Sequence, residues 1–175
     1  MPSTTDLAAS SWGRVFVLFA AALLVIGCSA EPKGVIYIVR HAEKSTTPAG
    51  DPALTEAGES RALDLAEKLG DKPIIAVYST DTTLTQRTAA PLAAKLGLPV
   101  QSYRDSAALV EQVRRAHEGQ SVAIVGHSNT VPQLIAAFGA TPPPEVAGGI
   151  PEDQYDNLYL LELSAEAPTL TALKF

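Results

Sequence analysis

The chain of 175 residues carries a single cysteine, Cys28. One thiol excludes an internal disulfide and any zinc site assembled from several cysteines. Positive charge is also scarce, with 13 Lys and Arg against 19 Asp and Glu and a net charge of −6. That balance argues against nucleic acid as a partner but leaves room for a small local anion site. No apolar run reaches the roughly 20 residues a membrane-spanning helix needs. The longest, Val15 to Ile26, has twelve. Internal repeats, heptads and long linkers are missing too, which removes solenoid and coiled-coil architectures. What is present is ordinary globular usage, 46% hydrophobic and 18% charged, at a length that favours one domain.

The twelve apolar residues follow Arg14, and Gly27, Cys28 and Ser29 come next. A positive residue before a short apolar stretch reads as a secretory signal. Val25-Ile26-Gly27-Cys28 resembles a bacterial lipobox, which implies diacylation of Cys28 and a mature chain beginning there. Each buried methylene of an acyl chain contributes about 0.8 kcal/mol of membrane binding. The expected organisation is therefore a signal peptide over 1–27, a short tether over 28–33 and one folded domain over 34–175. Ser29, in place of an aspartate, resembles the pattern for export to the outer membrane. The expected location is the bacterial cell envelope, lipid-anchored and facing the periplasm, at the outer rather than the inner membrane.

The rest alternates strands and helices. Gly34 to Val39 is a β-branched apolar run suited to a strand buried on both faces. Similar runs recur at 74–78, 99–103 and 122–125. Between them, Thr55 is placed to cap a helix ending at Gly70, a second spans 83–96, and a third spans 107–117. Pro132 suits the first turn of a fourth helix reaching Phe138. A Pro- and Gly-rich loop over 141–151 precedes strands at 158–163 and 170–175. This alternation predicts an α/β fold, a three-layer α/β/α sandwich with a mainly parallel sheet. Ligands in such sheets bind beyond the carboxyl ends of the strands. Two segments qualify, and each carries a histidine.

The first is Arg40-His41-Ala42-Glu43-Lys44 and the second Gly126-His127-Ser128-Asn129-Thr130. A neutral histidine is nucleophilic near pH 7. An arginine fork matches phosphate oxygens bidentately. Together they point to phosphoryl transfer through a phosphohistidine. A metal shared by His41 and His127 lacks a third ligand at recognisable spacing. Lys44 reads as a surface lysine, with added positive potential at the mouth of the site as the alternative, and His117 as a cation favourable at the end of its helix.

These residues, with Leu54-Thr55 through Gly58, Arg61-Ala62, Tyr78-Ser79-Thr80 and Thr88-Ala89, make the sequence resemble the histidine phosphatase superfamily, the phosphoglycerate mutase-like fold. The likeness covers nearly the whole of 34–175. It implies that His41 is the nucleophile and that Arg40 and His127 bind phosphate oxygens. It also implies that a carboxylic acid protonates the leaving group, that no metal or cofactor is required, and that the substrate is a small phosphorylated molecule.

One position departs from the family pattern. A second phosphate-binding arginine is expected four residues after Thr80, and Leu84 stands there. Arg87 lies three residues on, about 60° round the same helix, and is the candidate to reach back to the phosphate. For the acid, Asp105 after the third strand is the first choice, with Glu43 and Asp51 as alternatives. Two readings follow, an envelope phosphomonoesterase tethered through Cys28, or a weak or inactive lipoprotein of the same fold that binds a phosphorylated ligand or a partner.

Overall fold

The computed structural model of the chain describes residues 34–164 and 167–175. The expected signal segment, the tether and Cys28 lie outside the described residues.

Four strand–helix units build most of the molecule: β1 (Val35–Arg40), α1 (Glu56–Leu69), β2 (Ile74–Thr80), α2 (Thr83–Leu96), β3 (Val100–Tyr103), α3 (Ser106–Ala116), β4 (Ser121–Gly126) and α4 (Thr130–Ala137). A long loop then leads to β5 (Asn157–Glu162) and β6 (Thr169–Lys174). Local chemistry sets the boundaries. Thr55 Oγ1 accepts from the Gly58 amide at 3.1 Å and starts α1. Gly97, at φ 69°, closes α2 with its amide on the Ala93 and Ala94 carbonyls.

The six strands form one sheet in the order β3-β2-β4-β1-β5-β6. β1, β2, β3 and β4 pair in parallel, while β1 with β5 and β5 with β6 pair antiparallel. The sheet is thus α/β and mainly parallel, with an antiparallel edge. Only six residues separate β5 from β6, too few for a crossover helix.

Alternation along β1 splits the core. Ile36 and Ile38 face the side covered by α3 and α4, packing with Leu109, Leu134 and Phe138. Tyr37 and Val39 face α1 and α2, packing with Leu65, Leu69 and Leu92. Each of these buried aliphatic side chains is worth about 1.5–3 kcal/mol, so the register of β1 is strongly held.

That register places the site. Arg40 at the carboxyl end of β1 pairs with Gly126 at the carboxyl end of β4. The next residues, His41 and His127, therefore leave the sheet side by side.

Candidate active site

The His41 amide donates to the Gly126 carbonyl at 2.8 Å, continuing the ladder one step past β1. The two imidazole rings lie 5.4 Å apart, edge to face. Nδ1–H of His41 donates to its neighbour's carbonyl, Ala42 O, at 2.8 Å. This fixes the tautomer and leaves Nε2 with its lone pair. Ala42 is held in turn, its amide donating to Thr88 Oγ1 at 3.0 Å, while the Thr88 hydroxyl donates to Leu84 O. Burial pushes the His41 pKa down to about 4, opposed by the Ala42 carbonyl and reinforced by the charge of Arg40. His41 is neutral throughout the physiological range.

His127 is set by β4 and the start of α4. Its amide donates to Thr130 Oγ1 at 2.8 Å. Gly126 permits this tight turn, since a Cβ there would meet that same oxygen at 2.7 Å. The ring Nε2 lies 2.8 Å from Thr80 Oγ1, itself 2.8 Å from Thr85 Oγ1, whose hydroxyl donates to the Thr80 carbonyl. Counting protons along this chain makes Thr80 the donor to Thr85 and the acceptor from His127 Nε2–H. Burial, then the charges of Arg40 and Lys44, lowers the His127 pKa.

Arg40 is 2% exposed. Its Nη1 donates to the carbonyls of Pro151 at 2.7 Å and Gln154 at 3.2 Å. Nη2 pairs with Glu152 at 3.3 Å, and the Tyr155 ring covers the guanidinium carbon at 4.4 Å. Three of the five guanidinium N–H donors are thus occupied, leaving two. The buried Nε is one of them, with no partner among the described residues. An oxyanion is the natural ligand for that remaining edge.

These side chains line an open cleft of about 660 Å³, with Lys44, Leu84, Ser128, Asn129, Glu152 and Tyr155. Arg40, His41 and His127 are therefore brought together as expected from the sequence. Four other candidates are not. Arg87 points to α1, where it pairs with Glu59 at 2.7 Å, and it does not line the cleft. The 60° rotation between helix positions 84 and 87 carries its side chain past the cleft to the α1 interface. Leu84 occupies the cleft wall instead, buried against Ala42, Leu54 and Ala62.

Asp105 is the N-cap of α3, its carboxylate accepting from the Ala108 amide at 2.7 Å. It too lies away from the cleft. The two alternative acids are also committed elsewhere. Burial raises the Glu43 carboxyl, but the fork of Arg61, with contacts of 2.6–2.9 Å, outweighs it and holds the group below the usual range. Asp51 accepts from the amide and hydroxyl of Thr83 at the start of α2.

Sequence reasoning missed Glu152 and Tyr155 and preferred a surface lysine to a charge at the cleft mouth for Lys44. Among the described residues, Glu152 is the sole carboxylate that lines it. Its segment, Pro151 to Tyr155, has no periodicity to mark it, and only the buried Arg40 reveals what it does. Lys44 reaches the cleft mouth and pairs with Glu152 at 3.3 Å. No group of three His, Cys, Asp or Glu side chains among the described residues is arranged to hold a metal ion.

Residues 36–106, which span β1 to the start of α3, match the family model described as histidine phosphatase superfamily (branch 1). No curated protein matches the chain. Solved structures share the fold. The protein histidine phosphatase SixA, in complex with tungstate, aligns with TM-score 0.63 at 19% identity, over 80% of this chain and 96% of that one. Bacillus stearothermophilus YhfR aligns with TM-score 0.63 at 18% identity, over 79% and 95%. A mycobacterial glucosyl-3-phosphoglycerate phosphatase aligns with TM-score 0.63 at 17% identity, over 81% and 98%. The matched segment, similar to the histidine phosphatase superfamily (branch 1), carries Arg40 and His41, and a sheet of the same fold as these phosphatases delivers His127 beside them.

Proposed function

We propose that the protein is a phosphomonoester hydrolase that works through a phosphohistidine on His41, using its own side chains rather than a metal. The observation that carries this reading is the state of His41: neutral, with Nδ1–H committed to the Ala42 carbonyl and Nε2 left as the nucleophile. The phosphoryl group would lie between His41 and His127, with the two remaining Arg40 donors on its oxygens. Its negative charge favours the imidazolium form of His127, which then donates from both nitrogens. An ester P–O bond breaks as the P–Nε2 bond forms, and water afterwards releases inorganic phosphate. Phosphohistidine and glucosyl-3-phosphoglycerate phosphatases are among the structures with this fold, which supports a phosphorylated substrate without choosing between such classes. The proposed setting is the periplasmic face of the bacterial envelope, through a lipid on Cys28.

The test uses the full-length protein in detergent with p-nitrophenyl phosphate. Turnover that persists in chelator, and falls at least a thousandfold in His41→Ala, is the expected result. Undiminished turnover in that variant would end the proposal.

Leu84 on the cleft wall, with Arg87 turned to Glu59, favours a second reading, a non-catalytic binder of phosphorylated ligands. Saturable phosphate binding with no turnover by the wild-type protein is its signature.

A further inference from the structure

We infer that Glu152 is the group that protonates the leaving oxygen and then activates water, an assignment that rests on the phosphohistidine reading above. Asp105, Glu43 and Asp51 are each bound into the scaffold, as α3 cap, Arg61 partner and Thr83 partner. Glu152 alone among the described carboxylates faces the cleft that holds His41 and His127.

Its placement is built rather than incidental. The turn carrying it is fixed by two Arg40 hydrogen bonds, to Pro151 O and Gln154 O, and by the Ile150 amide on Ser128 O at 2.9 Å. The backbone is thus tied to both catalytic segments. The side chain is 72% exposed and stands at the cleft mouth, with Oε2 at 3.3 Å from both Arg40 Nη2 and Lys44 Nζ. An ester whose phosphorus is seated at His41 has its alcohol in the same cleft as this carboxylate.

The two cations explain how one carboxyl serves as acid. Lys44 first, and Arg40 second, hold the Glu152 carboxyl below its usual range. A phosphoryl group seated between the histidines, on the two Arg40 donors that Glu152 leaves open, offsets the guanidinium charge, draws on Lys44 and brings negative charge close to the carboxylate. These changes favour its protonated form. The steps then balance. His41 Nε2 attacks phosphorus, the P–O bond breaks, and the leaving oxygen takes the Glu152 proton to depart as a neutral alcohol. Water attacks the phosphohistidine, Glu152 accepts its proton, the P–N bond breaks, and inorganic phosphate leaves with both side chains restored.

Leaving-group chemistry tests this. A p-nitrophenolate departs without help, whereas an alkoxide needs a proton, and general acid catalysis is worth about 10²–10⁴-fold. The ratio of kcat/KM for glycerol 2-phosphate to that for p-nitrophenyl phosphate cancels any change in phosphate binding. In full-length Glu152→Gln this ratio should fall about a hundredfold or more. An unchanged ratio, whether both rates drop together or phosphate simply binds more tightly, would overturn the assignment and leave the phosphohistidine reading standing. Turnover that persists in His41→Ala, or no turnover of either ester by the wild-type protein, removes the reading and with it the role of Glu152.

Discussion

In the proposed reaction His41 meets two demands at once, a lone pair for chemistry and a dry setting that keeps it. Burial provides both, and it leaves a trace in stability. The unfolded chain takes up a proton near the ordinary histidine value of 6.5, while the folded chain refuses it down to about 4. Between those values the unfolded state binds more protons, so stability is complete above pH 6.5 and is lost as the pH falls towards 4. At about 1.4 kcal/mol per pH unit the loss from His41 is roughly 3 kcal/mol. The lowered pKa of His127 acts in the same direction. Denaturant unfolding at pH 7 and pH 4.5 should show this drop in the wild-type protein and a clearly smaller one in His41→Ala. Equal drops would mean that the imidazole is not dry.

At the scale of elements, α2 decides how much positive charge the cleft holds. Its residue 84 faces the cleft and its residue 87 faces α1. Arg87→Ala should therefore leave the inhibition constant of inorganic phosphate unchanged. Leu84→Arg should lower it by about tenfold or more, the worth of one charge-assisted hydrogen bond. A weaker inhibition in Arg87→Ala would show that its side chain leaves Glu59 for the phosphate. The two outcomes also explain what was legible in the sequence. β1 and β4 could be read because each is an unbroken apolar run, and the histidine after each could be read because ligands gather at that sheet edge. Arg87 misleads because spacing gives an angle but not the competing partner across α1. Asp105 misleads because an N-cap and a catalytic carboxylate look alike in sequence, both following a strand and preceding a helix. Glu152 and Tyr155 were invisible, since what identifies them is contact with Arg40, more than 110 residues earlier in the chain.

On the scale of the whole molecule, the proposed lipid on Cys28 would make the protein a surface-bound one, its proposed substrates those within reach of a membrane. Cells fed labelled palmitate should transfer label to the wild-type protein and not to Cys28→Ser. Label on both, or on neither, would remove the tether while leaving the fold and its cleft untouched.

The grip of Pro151 and Gln154 on the Arg40 guanidinium also orders events during biosynthesis. A nascent chain that has emerged through α4 already possesses both imidazoles and the four parallel strands, yet its arginine has no carbonyls to aim it. An aimed guanidinium arrives only once Pro151 and Gln154 are in place. A fragment ending before that turn would keep the four parallel strands, lose β5 and β6, and carry a misdirected anion receptor.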